Sequence, residues 1–335
     1  MRLKARIKNK REVIGRSKKL VIDFLFPSLD NNSMFNLNNI TKVFKSDLLV
    51  DPFVALNNVS FGVPEGAMVG FLGANGAGKT TSLKIVLDFI RPTSGEVSFS
   101  PTLGTSREEV RRNIGFLPER PYFYQHLTGT EFACFMGELS GLTRKDVLAK
   151  ILPLAKRFRL DHAINRELRT YSKGMLQRIG FLVTLLHEPK LILLDEPLSG
   201  LDPVGRKELK DIMAEIKREG RTVFFSTHIV SDVEEICDRV VFLNKGELSY
   251  DGPVKPLLDK HMTQIWRILI PDMTNFSSSF VANRRNLGAG IEQLEVESAH
   301  KDLVVKQIVS EGISIIGIEQ EKIRLEEIFY KTGKA

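Results

Sequence analysis

The chain has 335 residues, 42% hydrophobic and 27% charged, which is enough apolar material for one large or two modest globular domains. Its net charge is +7, and its two cysteines, Cys134 and Cys237, are too few for a disulfide framework and suit a reducing compartment. No apolar run approaches the roughly 18 residues that cross a bilayer, and we expect no signal peptide, so any work at a membrane would need another chain to span it.

Residues 1–34 form a predicted basic N-terminal extension, with nine Lys or Arg and a single acid among residues 1–19. Two interpretations stay open. The extension is either an amphipathic helix that contacts anionic lipid through residues 1–25, or an unstructured, solvated tail. The apolar residues on one face of the predicted helix are Leu3, Ile7, Ile14, Val21 and Leu25.

Two strands are predicted next, over residues 35–43 and 55–63, from partial alternation of apolar and polar residues. Phe44 lies between them. It is either an aromatic ring that stacks on a nucleotide base or a core aromatic at a strand end. Phe53 competes for the stacking role.

A short apolar strand over residues 67–72 leads into a glycine-rich loop and a helix predicted over residues 80–90. The loop fits the phosphate-binding pattern G-x-x-x-x-G-K-[ST], in which backbone N–H groups form a nest for an anion. Lys79 can reach the β- and γ-phosphates, and the Thr80 hydroxyl can ligate Mg²⁺. The predicted nucleotide-binding residues are Gly73, Asn75, Gly76, Ala77, Gly78, Lys79, Thr80 and Thr81.

Short strands are predicted over residues 95–99 and 113–117, and a helical insertion over about residues 120–187. Helical periodicity covers residues 131–139 and 146–158, and we expect Pro153 to kink or split the second helix. A further helix opens at Tyr171-Ser-Lys-Gly-Met-Leu-Gln-Arg178, where Ser172 occupies an N-cap position. The plain interpretation of Ser172 and Gly174 is a helix cap and a loop glycine.

The apolar run Leu191-Ile-Leu-Leu194 predicts a buried parallel strand that ends in Asp195 and Glu196. Ligands of open α/β sheets bind outside the carboxyl ends of the strands. Asp195 is therefore placed to hold Mg²⁺, directly or through water, and Glu196 to polarise an attacking water. Two solvated acids that open a loop are the weaker alternative.

Asp202 follows in a short loop before a helix predicted over residues 205–218. The next buried strand, residues 222–226, ends near His228, where a γ-phosphate contact is expected. A β-hairpin covers residues 240–250. After residue 256 we expect a small α+β domain, with strands at 265–270, 290–296 and 313–318 and helices at 303–310 and 325–330.

From about residue 36 to 255, the order of these motifs resembles the nucleotide-binding subunit of an ABC transporter. The resemblance implies an α/β P-loop NTPase with a mainly parallel central sheet, an antiparallel β subdomain and a helical insertion. It also implies an ATPase domain over residues 35–255, an accessory domain over 256–335, and the cofactors ATP and Mg²⁺.

The resemblance further implies a role for each matching residue. Phe44 would stack on adenine, Glu196 would act as general base, and His228 would contact the γ-phosphate. Ser172 and Gly174 would bind the γ-phosphate of ATP held by a second subunit, and Asp202 would couple the two sites. The implied Mg²⁺ ligands are Thr80, Asp195 and Glu119.

Two positions depart from the family pattern. Glu119 stands where the family usually has Gln, although a carboxylate can also ligate Mg²⁺ or orient water. The signature reads Tyr-Ser-Lys-Gly-Met, with Lys173 in place of a small residue and Met175 in place of Gln. Similar variants occur in bacterial exporters with a C-terminal extension, so the resemblance favours export.

The implied partners are an integral membrane permease and a second ATPase subunit, identical or not. The implied location is peripheral, on the cytoplasmic face of the plasma membrane. Nucleic acid is not an expected partner. The alternative function is a non-transport ABC ATPase that acts on ribosomes or nucleic acid, which the basic extension favours. A nucleotide-binding regulatory module without turnover is disfavoured by the presence of Glu196 and His228.

Overall fold

The computed structural model describes residues 32–45, 52–260, 262–272, 276–322 and Leu325. Their contacts divide the chain into two compact units, one that ends at Val254 and one that begins at Lys255. The amphipathic helix and lipid contact predicted for residues 1–25 lie outside the described residues, as does most of the helix predicted over 325–330. Within the described part, no helix combines the length and apolar character needed to cross a membrane.

The elements up to residue 260 are a mixture of strands and helices. In chain order they are β1 (Ser33–Phe44), β2 (Phe53–Pro64), β3 (Met68–Leu72), α1 (Lys79–Val86), β4 (Ser94–Phe99), α2 (Arg107–Arg112), β5 (Ile114–Leu117), α3 (Gly129–Leu139), α4 (Arg144–Arg157), α5 (Lys173–Thr184), β6 (Leu191–Leu194), α6 (Pro203–Arg218), β7 (Thr222–Thr227), α7 (Val230–Ile236), β8 (Arg239–Asn244), β9 (Glu247–Pro253) and α8 (Val254–Lys260).

The central sheet has the strand order β5–β6–β7–β3–β8–β9. The first five strands run parallel and β9 is antiparallel to β8. Every residue of β3, β6 and β7 is buried, as expected for parallel strands covered on both faces. Because β6, β7 and β3 are neighbours, their carboxyl ends meet at one edge of the sheet.

A second, antiparallel sheet has the order β2–β1–β4 and packs on the central sheet through aromatic rings. The Phe35 ring lies edge-on to Phe224 of β7, with centroids 5.5 Å apart, and Phe61 stacks on the same ring at 5.9 Å. These rings share one core with side chains of β3, β6 and β8. The antiparallel sheet therefore packs against β3, the strand that leads into the glycine-rich loop.

The helical insertion packs α3 and α4 beside α5 in a second core. Two of its helices begin with a capping box, at Thr128 and at Thr143, in which the N-cap hydroxyl and an acid three residues later bond each other's backbone N–H. We expected Pro153 to kink or split this helix. The split is wrong, because α4 is one helix whose buried face, with Val147, Ile151 and Ala155, continues past the proline.

Helix α1 is shorter than its apolar pattern predicted and ends at Val86. Asp88 adopts a left-handed conformation, with φ of 60°. This turn lets the Phe89 N–H donate to the Lys84 carbonyl at 2.9 Å, a bond that closes the helix end. Ile90 therefore lies beyond the helix.

The described residues of the second unit form a four-stranded antiparallel sheet whose apolar face is covered by one helix. Its elements are β10 (Met262–Pro271), β11 (Val281–Gly288), β12 (Ile291–Glu297), α9 (Lys301–Ser310) and β13 (Gly317–Lys322), with strand order β11–β12–β10–β13. Ile268, Leu294, Val304 and Ile308 form its core.

One strand of this unit was missed, and another was predicted too early in the sequence. The sequence missed β11, whose Asn283-Arg-Arg-Asn286 stretch has no apolar alternation because the strand is exposed along nearly its whole length. The strand predicted over 313–318 begins only at Gly317. Ile313 and Ile315 produced the strand-like pattern because they pack on the core from the preceding loop.

Candidate active site

The glycine-rich loop lies between β3 and α1 and needs its glycines for steric reasons. Gly76 and Gly78 have φ of 81° and 107°, which side chains disfavour. A Cβ on Gly73 would come 2.6 Å from the Leu243 carbonyl oxygen. Gly78 caps α1 without a side-chain hydrogen bond, so no capping side chain competes for the first N–H groups of the helix. Such an N-terminus favours a phosphate.

Lys79 lies across this loop, with its side chain 6% exposed. Its Nζ donates to the carbonyl oxygens of Gly73 at 2.6 Å and Ala74 at 3.3 Å. The same nitrogen is 3.2 Å from Glu196 Oε1. That oxygen is buried and accepts no well-aligned hydrogen bond. The Lys79 ammonium group is thus held beside the glycine-rich loop by contacts that a phosphate could replace.

Asp195 follows β6 directly and is 2% exposed. Thr80 Oγ1 donates to its Oδ2 at 2.9 Å, and Ser226 Oγ donates to its Oδ1 at 2.6 Å. A hydroxyl and a carboxylate oxygen in direct contact, next to a phosphate-binding loop, are the hard oxygen ligands that Mg²⁺ prefers. The residues present therefore fit a magnesium ion.

Glu196 is the next residue, and its backbone is unusual. Its φ is 49°, a left-handed conformation for a residue with a side chain. Its N–H donates to Ser226 Oγ at 2.8 Å and its carbonyl accepts from the Ser199 N–H at 3.1 Å. Its Oε2 lies 3.0 Å from His228 Nδ1. The side chain is thereby aimed between Lys79 and His228.

The structure thus joins Lys79, Thr80, Asp195, Glu196 and His228 into one cluster at the carboxyl edge of the sheet. Ser226 was not among the predicted site residues, yet its hydroxyl bonds to the Asp195 carboxylate and to the Glu196 N–H. Its only signal was a hydroxyl at the carboxyl end of an apolar strand. Gln177 was missed as well, and its Nε2 donates to the Pro197 carbonyl at 2.9 Å, which ties α5 to the loop after β6.

Ser172 and Asp202 both cap helices, as the plain interpretation of Ser172 required. Ser172 Oγ accepts from the Met175 N–H at 3.2 Å, and Asp202 Oδ1 accepts from the Gly205 N–H at 3.0 Å. Ser172 is exposed at the start of α5. Among the described residues, no hydrogen bond or ion pair joins Ser172, Gly174 or Asp202 to the glycine-rich loop.

Phe44 is 41% exposed, so the interpretation as a core aromatic is wrong. Lys42 Nζ lies 5.0 Å from its ring centroid. Phe53 pairs with it across β1 and β2 and is 61% exposed, so both rings are accessible at the same sheet end.

Glu119 is exposed after β5 and lies 3.9 Å from Arg120. Within the described residues it makes no hydrogen bond to Thr80 or Asp195.

Comparison with known proteins agrees with this geometry. The family model described as ABC transporter matches residues 56–199. The ABC transporter ATP-binding protein YxlF of Bacillus subtilis is 36% identical over 288 residues, which are 84% of this chain and 95% of that protein. The bacitracin transport ATP-binding protein BcrA of Bacillus licheniformis is 29% identical over 90% of this chain and 97% of its own length.

A solved structure described as a dimeric, post-hydrolysis state of an ATP-binding cassette bound to ADP and Pi is 26% identical, with a TM-score of 0.59. The aligned region covers 66% of this chain and 99% of the chain in the solved structure. The chain therefore belongs to the ABC transporter family, as an ATP-binding subunit and an ATPase. The α/β P-loop fold expected from the motifs is confirmed.

Proposed function

We propose that two such subunits close around two ATP molecules and hydrolyse them to power export through a separate membrane permease. The subunit would sit on the cytoplasmic face of the membrane. The observation that carries the proposal is the cluster at the carboxyl edge of the sheet, where Lys79, Glu196 and His228 converge beside the glycine-rich loop.

ATP binding would replace contacts that are now internal. Lys79 would leave the carbonyls of Gly73 and Ala74 for the β- and γ-phosphates, since a charged phosphate is a stronger partner than a neutral carbonyl. The remaining loop residues, from Gly73 to Thr81, would cradle the phosphates, and Phe44 would stack on the adenine. Phe53, which is more exposed, is the competing candidate for that stacking.

The residues that fit Mg²⁺ are Thr80 and Asp195, with Glu119 as a further carboxylate candidate. The ion would supply positive charge against the phosphate oxygens. The protein's own contribution is to hold the Asp195 carboxylate in a fixed orientation through its two hydrogen bonds.

Hydrolysis needs a water aligned with the γ-phosphate, and Glu196 is the base best placed to orient it. Its Oε1 is buried, close to Lys79, and accepts no aligned hydrogen bond, so it can accept one from water. His228 fixes the other oxygen at 3.0 Å. Catalysis would consist of positioning and charge stabilisation, with Lys79 on the phosphate and Glu196 on the water.

One subunit alone would lack part of the site. Ser172 and Gly174 lie at the start of α5 and are joined to the glycine-rich loop by no bond in this chain's described residues. We propose that they contact the γ-phosphate of ATP on the second subunit, and that Asp202 couples the sites. Closure would depend on the γ-phosphate, and its loss would release the contact.

Transport is supported by the relatives, one of which is named a bacitracin transport ATP-binding protein. Its similarity covers 90% of this chain and so extends past residue 255, into the proposed accessory domain. We propose residues 35–255 as the ATPase domain and 256–335 as the accessory domain. The export direction rests on the signature variant and this C-terminal extension.

One experiment tests both hydrolysis and transport. Glu196→Gln keeps the size of the side chain but removes the base, so turnover should fall at least about a hundredfold while ATP still binds. Purified with mild detergent from the cells that make it, the variant should be an ATP-bound dimer together with an integral membrane protein. Turnover at the normal rate would remove the base role, and recovery only with ribosomes or DNA would remove the transport role.

A further inference from the structure

Ser226 occupies a position at which it touches two different catalytic groups at once. It is the fifth residue of β7, is fully buried, and lies where the carboxyl ends of β6 and β7 meet. Its Oγ donates to Asp195 Oδ1 at 2.6 Å and accepts from the Glu196 N–H at 2.8 Å. The hydroxyl hydrogen and one lone pair are thus committed to two consecutive residues of the neighbouring loop.

The hydrogen bond from the Glu196 N–H to Ser226 Oγ lies at a residue with an unfavourable backbone conformation. A left-handed φ of 49° is strained for a residue with a side chain, and it persists only where neighbouring contacts enforce it. Here the Glu196 N–H donates to Ser226 Oγ, and the Glu196 carbonyl accepts from the Ser199 N–H. Without the first bond, the peptide could rotate toward an ordinary conformation and re-aim the side chain.

The hydrogen bond from Ser226 Oγ to Asp195 Oδ1 helps to fix the orientation of the Asp195 carboxylate. Thr80 occupies one oxygen and Ser226 the other. Thr80 is itself a candidate metal ligand, so its bond can change when nucleotide binds. The Ser226 bond comes from a buried strand and does not depend on that change.

Resting on the proposed function, we propose that Ser226 is a positioning residue that sets the orientation of the base Glu196 and of the carboxylate of Asp195 through one hydroxyl. It does not touch substrate. It acts by fixing the peptide that carries the base, because a misplacement of about 1 Å can cost a hundredfold in rate.

The test is Ser226→Ala, which removes one oxygen and adds no bulk. We expect kcat for ATP hydrolysis to fall at least about tenfold, since the base is mispositioned. The affinity for a non-hydrolysable ATP analogue, measured by calorimetry, should stay within about threefold, because the glycine-rich loop is untouched. Ser226→Thr keeps the hydroxyl and should restore most of the turnover.

Thr222 supplies the matched control. It lies on the same strand, is equally buried, and accepts a hydrogen bond from the Gly66 N–H at 2.8 Å, at the opposite end of β7 from the site. Thr222→Val removes a buried hydroxyl without changing the size of the side chain, so it should lower thermal stability and leave kcat within about twofold. Activities are compared below the unfolding temperature of each variant.

Three outcomes would overturn the inference: normal kcat in Ser226→Ala, an equal fall of kcat in Thr222→Val, or a Ser226→Thr variant as slow as Ser226→Ala. Glu196→Gln is assayed alongside. If Glu196→Gln hydrolyses ATP normally, the proposed function itself fails. If it is inactive while Ser226→Ala is normal, only the positioning role of Ser226 is lost.

Discussion

At the scale of single residues, the site is a network of short hydrogen bonds among largely buried side chains. Asp195 is bonded on both carboxylate oxygens, and Glu196 is bonded through its N–H, its carbonyl and one side-chain oxygen. A polar group buried without a partner is costly. Glu196 Oε1 lies 3.2 Å from Lys79 Nζ but accepts no aligned hydrogen bond, so it is the place where an incoming donor gains most.

His187 is a half-buried polar residue between α5 and β6. Its Nε2 lies 3.1 Å from the Ile114 carbonyl oxygen, which can only accept, so the neutral ring carries its proton on Nε2. Its Nδ1 is buried without a partner. Burial lowers the pKa of His187 below its usual value of 6.5, opposed by the bond to Ile114.

This burial predicts a pH-dependent stability. As the pH falls through about 6.5, the unfolded chain takes up a proton at His187 and the folded chain does not, so the folded state loses stability. His187→Gln should therefore weaken the loss of thermal stability between about pH 7 and about pH 5. The exposed His162 is the control, and His162→Gln should keep the wild-type slope. Equal slopes in wild type and His187→Gln would contradict the prediction.

Motif residues could be predicted because their chemistry fixes both residue type and spacing. Lys79, Thr80, Asp195 and Glu196 all fall in one cluster. Ser226 could not be predicted in the same way, since a serine at a strand end is common. Its importance arises from a register that pairs β6 with β7 and brings distant residues together.

At the scale of elements, helix starts carry both stability and function. Thr128 and Thr143 begin α3 and α4 with complete capping boxes, whereas Ser172 begins α5 with a single bond to the Met175 N–H. Lys173 and Gly174 follow, so no acid lies in the first turn of α5. A helix start without a nearby acid is favourable to an incoming anion.

Paired cap variants separate the two roles. Thr143→Ala and Ser172→Ala should each destabilise the fold by about 1 kcal/mol, measured by denaturant unfolding, because each loses an N-cap. Only Ser172→Ala should also lower ATP turnover, by about tenfold or more, because its hydroxyl would face the γ-phosphate of the other subunit. Equal turnover in the two variants would leave Ser172 as a structural cap alone.

Elements with a clear apolar pattern were predicted well, and elements without one were missed. The amphipathic α4 and α6 follow from apolar spacing, and the hairpin β8–β9 from its turn at Lys245-Gly246. Helix α7 has only seven residues and β11 is almost wholly exposed, so neither leaves a clear hydrophobic period. Burial creates the pattern that sequence analysis detects, and elements with little burial escape it.

At the scale of the whole molecule, one chain contains one glycine-rich loop and one signature helix start. The first lies at the carboxyl edge of the central sheet and the second begins α5, and no bond joins them within the described residues. The proposed function requires each ATP to touch both. The subunit would therefore hold two half-sites, and a working site would form only between two copies or between this chain and a similar partner.

Mixing two inactive variants tests this requirement most directly. Lys79→Ala spoils the loop half-site and Ser172→Arg spoils the signature half-site, so each variant alone should hydrolyse almost no ATP. In an equal mixture, half of the dimers would combine both variants and contain one intact site, so turnover should recover to about a quarter of wild type if subunits exchange freely. A mixture as inactive as its components, or full turnover by a strictly monomeric wild-type chain, would contradict the account.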